Sequence, residues 1–197
     1  MNLSAPKHQE AVEAILALFW RKGYADTSVA DIVAETGLNR YALYTGFGSK
    51  QEIYLAALDA YFQAGCAFFL PLVTDESIPP LERTHRSLLM SIDWMKQQGN
   101  GCFICHGAIE HRDEDPKIDE AVTTYLDQIR GYMEIPLRAA AEQGLLNPMM
   151  TPEQAAQLVF NANLSMGVHV RAGFDDATLH RIVESTMAAL SAPRPRA

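Results

Sequence analysis

The stretch VADIVAETGLNRYALYTGFGSKQE, Val29 to Glu52, decides the fold. It reads as two short helices around a glycine turn, followed by the start of another helix. Ser28 is placed to cap the first, with Asp31 at the third helical position, Ile32 and Val33 facing inward, and Gly37 closing it. Asn39 caps the second, whose inward residues are Ala42, Leu43 and Phe47. Ser49 with Glu52 is a capping box that opens the next helix. Two short helices joined this way form a helix-turn-helix, which sets its second helix into a DNA major groove.

Working outward, helix signals recur and strand signals do not. Upstream, Val12, Ile15, Leu16 and Phe19 form an apolar stripe at three-to-four spacing, and Gly23 is placed to end that helix. Downstream, the helix opened by Ser49 carries Ile53, Leu55, Leu58, Tyr61 and Phe62, and Pro71 should end or kink it. Thr74 to Pro80 is a loop signal. Further helices fit Leu81 to Gln98, closed by Gly99, and Cys102 to Glu110. Asp115-Pro116 opens a long helix to about Gln143, which Pro136 should bend. Thr151-Pro152-Glu153-Gln154 combines a cap, a first-turn proline and a capping box, and Asp175 caps a last helix ending near Leu190. The tail from 193 to 197 should fray. The expected fold is all-α, with about nine helices: an N-terminal helix-turn-helix bundle over 1–50, then a larger helical domain over 51–192.

The chain has 197 residues, 48% hydrophobic and 20% charged, with a net charge of −8. That acidity argues against a whole surface built for polyanions. From Met1 to Lys50, however, Lys7, Arg21, Lys22, Arg40 and Lys50 balance Glu10, Glu13, Asp26, Asp31 and Glu35. The excess acid lies behind that segment, as expected if only the front end meets phosphates. The first residues lack the basic and apolar regions of a signal peptide. No run approaches the ~20 apolar residues of a membrane span. Three cysteines, Cys66, Cys102 and Cys105, are too few for a disulfide scaffold, so a reducing cytoplasm is the expected compartment.

From Phe19 to Leu58, FWRKGYADTSVADIVAETGLNRYALYTGFGSKQEIYLAAL resembles the TetR/AcrR family of bacterial transcriptional repressors. The family pattern runs through an aromatic-containing helix, G-[YF]-x-x-T-[ST], then I-A-x-x-A-G-V-x-x-x-x-[LI]-Y-x-[HY]-F-x-[SN]-K-x-x-L. The resemblance implies a regulator, not an enzyme, that binds a palindromic double-stranded operator as a homodimer and leaves it when a small molecule binds. It departs from the pattern at Gly46, where the family usually has a His or Tyr that contacts phosphate; glycine there also costs about 1 kcal/mol of helix propensity relative to Ala.

The residue chemistry supports DNA contacts from Thr27, Ser28, Asn39, Arg40, Tyr41, Tyr44, Thr45 and Lys50, the family's usual positions by resemblance. Arg40 and Tyr41 begin the reading helix, and Arg can donate two bonds to guanine O6 and N7. Thr45 is one turn on, within reach of a thymine methyl. Tyr44 can donate to a phosphate oxygen. Lys50 starts a helix, where charge and unpaired backbone N–H groups both favour phosphate. Thr27 and Ser28 begin the preceding helix and could do the same across the groove.

One such unit reads few bases, and a symmetric dimer on two half-sites is the physical solution. The helix over 152–171 carries Ala155, Ala156, Leu158, Val159, Ala162, Met166 and Gly167. The helix over 175–190 carries Leu179, Ile182, Val183, Met187 and Leu190. These suit a four-helix interface between copies, or an intramolecular core. Phe62, Phe69, Met90, Trp94, Cys102, Cys105, His106, Tyr125, Tyr132 and Asn163 are candidates to line an effector pocket, mixing apolar walls with a few polar groups.

Cys102-Phe103-Ile104-Cys105-His106 has several readings. At about 100° per residue, Cys102, Cys105 and His106 share one third of a helix circumference. The string matches c-type haem attachment, which needs an export signal that is missing. It could hold zinc with Glu110 or His111. It could sense oxidants or electrophiles through a thiol of lowered pKa, or simply pack a helix. No nucleotide loop, nucleophile elbow or paired metal motif appears, so neither catalysis nor a cofactor is expected.

Overall fold

The computed structural model describes residues 5–98, 101–110 and 115–192. Among these, the regular structure is nine α-helices: α1 Ala5–Lys22, α2 Val29–Thr36, α3 Arg40–Phe47, α4 Lys50–Val73, α5 Pro80–Gln98, α6 Phe103–Glu110, α7 Pro116–Glu142, α8 Pro152–Arg171 and α9 Asp176–Leu190. One isolated bridge joins Leu146 to Ser191. The expected tail at 193–197, the Gly99 stop and His111 lie outside the described residues.

The caps fall where the side chains call for them. Ser28 and Asp31 satisfy each other's backbone N–H groups at the start of α2, and Thr151 and Gln154 do so at α8. Asn39 caps α3 and Asp175 caps α9. Each cap satisfies helix-end donors that would otherwise lack partners. Gly23, Gly37 and Gly101 take positive φ at 83°, 67° and 78°. α6 begins at Phe103, one residue later than expected, so Cys102 precedes the helix. α4 continues two residues past Pro71, and α7 runs unbroken through Pro136.

The chain forms two compact units that do not follow chain order. One comprises Met1–Cys66 with Phe103–Tyr125; the other comprises Ala67–Cys102 with Leu126–Ala197. In the first, Ile15, Leu18 and Phe19 of α1 are buried with Ile32, Leu43, Ile53, Tyr54, Leu58, Phe103 and Ile104. The Tyr54 ring meets Phe19 edge-on at 5.0 Å, and Trp20 meets Tyr61 at 5.0 Å.

α4 differs from one expectation. By length and composition it is apolar enough for a membrane span, reaching a mean hydropathy of 1.4 over 18 residues. Its first half instead fills protein: Ile53, Tyr54, Ala57, Leu58, Tyr61 and Phe62 are buried, whereas Ala67 and Phe68 further along are exposed.

In the second unit, Leu88, Ile92 and Met95 of α5 pack with Leu137 and Ala140 of α7, four residues of α8 and three of α9. This packing divides the apolar residues of the last two helices between core and surface. Ala155, Ala156, Val159, Met166, Leu179, Val183 and Leu190 belong to the chain's own core, and Ala162 and Gly167 are also buried. α8 packs against α5 and α9, and burying an aliphatic side chain there contributes about 1.5–3 kcal/mol. Of the residues suited to an interface, Leu158, Ile182 and Met187 keep part of their surface.

Candidate nucleic-acid interface

The helix-turn-helix is anchored from inside by two aliphatic side chains. Ile32 on α2 and Leu43 on α3 are fully buried. Their burial turns the opposite faces outward. Arg40 and Thr45 are exposed, and so are Tyr41 at 73% and Tyr44 at 48%. Large aromatic rings this open to water gain little for the fold, and they follow an arginine at the start of a capped helix. Asn39 is exposed too, with its Oδ1 accepting from the Ala42 N–H at 2.8 Å. Its side-chain amide nitrogen keeps the chemistry of a donor.

Ser28 is exposed, but its hydroxyl donates to Asp31 at 2.6 Å and accepts from the Asp31 N–H at 3.1 Å. Asp31 also pairs with Lys22 at 3.0 Å. These contacts, the Ser28 hydroxyl foremost, hold the Asp31 carboxyl well below its usual range. Arg21 pairs with Glu35 at 3.0 Å. The cations at the end of α1 are thus engaged by carboxylates of α2, and Arg40 and Lys50 are the cations at the starts of α3 and α4.

Thr27 does not fit its expected role. It is fully buried, and its hydroxyl donates to the Gly23 carbonyl four residues back. It is the peg of the α1–α2 turn and cannot present its side chain to a phosphate.

Lys50 opens α4, with Ser49 as its cap: the Ser49 N–H donates to Glu52 at 2.7 Å, and the Glu52 N–H donates back to the Ser49 hydroxyl at 3.3 Å. The Lys50 ammonium stands 4.3 Å above the Tyr24 ring, a cation–π distance. Partial burial pushes its pKa down, against the pull of Asp26 and Asp31. Beyond α3, the His8 ring stacks on Phe47 at 4.5 Å. Nothing local in the sequence links these two residues.

The expected pocket residues fall into both units. In the first, Phe62 stacks on Tyr125 at 4.5 Å, and the Tyr125 hydroxyl donates to Asp59 at 3.2 Å. Burial, then the Asp59 carboxylate, pushes Tyr125 up to about 12. Cys105 and His106 lie on α6 in the same unit. In the second unit, Trp94 lies 6.1 Å from Phe69 and 5.1 Å from Phe68, an exposed ring that the sequence pattern does not single out. Met90 and Tyr132 are half-buried there. Asn163 is 9% exposed, and its carbonyl oxygen has no hydrogen-bond partner among the described residues.

Cys102 lies against α8, its Cβ 3.5 Å from where a side chain on Gly167 would begin. Because Cys102 sits ahead of α6, it does not share a helical face with Cys105 and His106. None of the three cysteines is in a disulfide. Among the described residues, no group of three or more His, Cys, Asp or Glu side chains is arranged to hold a metal ion, so Cys102, Cys105, His106 and Glu110 do not assemble into a zinc set.

The outer face of α8 and α9 carries an open groove of about 480 Å³ lined by Leu158, Asn161, Ala162, Ser165, Thr178, Arg181, Ile182, Ser185 and Thr186. Its lining mixes apolar Leu158, Ala162 and Ile182 with polar Asn161, Ser165, Thr178, Arg181, Ser185 and Thr186, of which Ala162 and Thr186 are buried.

Two family models match the chain. Residues 11–57 match the model of bacterial regulatory proteins of the tetR family, and residues 80–186 match the tetracyclin repressor-like C-terminal domain. The uncharacterized HTH-type transcriptional regulator YezE of Bacillus subtilis is 25% identical over 137 residues, covering 67% of this chain and 69% of that protein. The HTH-type transcriptional regulator TtgR of Pseudomonas putida is 26% identical over 157 residues, covering 77% and 73%. Among solved structures, a cysteine mutant of the TetR family transcriptional regulator CifR, complexed with 26bp double-strand operator DNA, superposes with a TM-score of 0.83 at 18% identity, covering 92% of this chain and 95% of that one.

Proposed function

The chain belongs to the tetR family of bacterial regulatory proteins and is a transcriptional regulator; we propose that it represses transcription by holding a palindromic operator as a homodimer until a small-molecule effector releases it. The observation that carries the reading is the capped α3, with Leu43 buried behind it and Arg40, Tyr41, Tyr44 and Thr45 presented to solvent in front. Residues 1–50 supply the DNA contacts in this reading, from Ser28, Asn39, Arg40, Tyr41, Tyr44, Thr45 and Lys50. Residues 51–192 supply dimerisation and effector binding. The work takes place in the cytoplasm, where the operator is, and involves no catalysis.

The dimer contact is assigned to the α8–α9 groove, where Leu158 and Ile182 keep apolar surface beside Asn161 and Arg181. The effector is assigned to the aromatic and polar residues of the body. The Asn163 oxygen, without a hydrogen-bond partner among the described residues, favours a ligand that carries a hydrogen-bond donor. Such a ligand favours a dimer whose reading helices are wrongly spaced for adjacent grooves, and it does so only through a difference in affinity for the two states.

Selection of duplexes from a random pool by the purified chain tests the reading. The expected result is a single palindromic sequence with half-sites about 10 base pairs apart, bound by an even number of copies. No enrichment over random competitor at moderate ionic strength would overturn it.

A further inference from the structure

Glu110 is the last residue of α6 and lies 86 positions from Tyr24, yet its Oε2 accepts the Tyr24 backbone N–H at 3.0 Å. The carboxylate is only partly exposed, at 25%. Its other oxygen lies so close to Gly23 that a Cβ on that residue would collide with it. Gly23 has φ of +83°, and its carbonyl accepts from the buried Thr27 hydroxyl. The turn between α1 and α2 is therefore held from inside by Thr27 and from outside by Glu110. Above the same turn, the Tyr24 ring carries the Lys50 ammonium at 4.3 Å and meets the Tyr54 ring at 4.9 Å. All of these residues belong to one compact unit.

We propose that Glu110 is a positioning residue for DNA binding: by holding the Tyr24 backbone it fixes the aromatic platform on which Lys50 is presented to an operator phosphate. The inference rests on the reading of Lys50 as a phosphate ligand. Glu110 itself meets no DNA. It acts through the hydrogen bond to the Tyr24 N–H and the ring face under the ammonium. Lysine is a flexible point charge that loses much freedom when held; without the preset platform that cost leaves its phosphate contact largely unformed, and the counterion stays on the DNA. Loss of the Glu110 bond removes the outer tie of the turn, so the Tyr24 backbone and its ring are held less firmly. α6 thus has a route to the operator that leaves the spacing of the two reading helices unchanged. α6 also carries Cys105 and His106, and His106 lies 3.8 Å from the Glu110 carboxylate, so a change at either side chain acts on the helix that holds Tyr24.

The test is a double-mutant cycle on operator binding by the full chain, read as the dependence of affinity on salt. Lys50→Ala should lower the slope of log affinity against log salt by about 1 per bound protomer. Glu110→Ala and Tyr24→Leu should each remove most of that same increment, and neither should lower it further once Lys50 is already alanine. Glu110→Gln keeps an acceptor for the Tyr24 N–H and should restore the wild-type slope. Tyr24→Leu keeps the informative comparison if Glu110→Ala does not fold. A slope unchanged by Lys50→Ala would remove the phosphate assignment, and the platform with it. A Lys50 effect as expected, with Glu110→Ala or Tyr24→Leu losses that simply add to it, would leave Lys50 on the phosphate and overturn the role of Glu110 alone.

Discussion

Gly101 lies against the backbone of Gly167: a Cβ on Gly101 would come within 2.5 Å of the Gly167 carbonyl oxygen. Gly101 also has φ of +78°, where a side chain is strained whatever the space. The two costs act together, because backbone cannot swing aside as a flexible side chain can. Gly101→Ala should destabilise the fold by about 1–3 kcal/mol. Gly167→Ala is the control. Its Cβ would meet Cys102 at 3.5 Å, an ordinary contact, within a helix that favours alanine. Denaturant midpoints should fall for the first variant and hold or rise for the second. Equal midpoints would contradict the close approach.

Thr27 supplies a prediction that separates stability from binding. Its buried hydroxyl serves the Gly23 carbonyl, so Thr27→Val should cost about 0.5–1.5 kcal/mol of stability. The salt dependence of operator binding should not change, because no phosphate contact is lost. A lowered slope in a variant that melts like wild type would return Thr27 to the DNA surface.

Why the sequence was legible in one place and not another follows from how far each interaction reaches. The Ser28–Asp31, Asn39–Ala42 and Ser49–Glu52 contacts span three residues, so the residue types alone imply them. The caps of α8 and α9 are local in the same way. The reading helix was visible because those caps bracket one buried leucine. Thr27 looked exposed because threonine at a helix start usually caps; its bond to the Gly23 carbonyl is as short-range as a cap, but its burial is set by the packing around the turn. Val183 and Ile182 are neighbours of similar chemistry, but packing covers only the first completely. Which apolar side of α8 and α9 faces the chain's own core is a packing outcome, and period alone does not contain it. Tyr24 with Glu110, and His8 with Phe47, meet across turns that nothing in the local pattern announces.

The helix caps give a dependence on acid. The Asp31 carboxyl is held down first by the Ser28 hydroxyl, and the Glu52 carboxyl first by the Ser49 backbone N–H. Their folded pKa values are lower than in the unfolded chain. Their stabilisation is therefore fully present above the unfolded values near pH ~4 and is lost as pH falls through the folded ones. Glu52→Gln and Asp31→Asn should melt below wild type at neutral pH. The gap should narrow as acid protonates the wild-type carboxyls. Thermal melts at neutral and acidic pH measure this directly, and a gap independent of pH would show that the charges contribute nothing.

The α8–α9 groove separates interface from core. Leu158 and Ile182 are only partly covered, whereas Val183 is fully buried. Leu158→Glu combined with Ile182→Glu should give a folded monomer that has lost its palindromic operator, because one half-site cannot hold the chain alone. Val183→Glu should instead unfold the body, since an unpaired carboxylate cannot stay buried. Sedimentation and circular dichroism distinguish the two. A double variant that still sediments as a dimer would move the contact elsewhere.

Arg40 carries the claim that this chain reads bases and does not merely hold a backbone. It is the first residue of α3, exposed, with the Asn39 cap behind it fixing the helix start. A guanidinium there can donate two parallel bonds to one guanine, in a planar fork that a lysine ammonium does not reproduce. Arg40→Ala should therefore cost about 1–3 kcal/mol on the selected operator and relax preference at one base pair per half-site. Tyr44→Phe, which removes a hydroxyl suited to a phosphate oxygen, should weaken every duplex alike. Binding of single-substitution operators to both variants distinguishes the two roles. If Arg40→Ala lowers affinity by the same factor on every sequence, its contact is to the phosphate backbone, and the base reading must come from the exposed Tyr41 and Thr45.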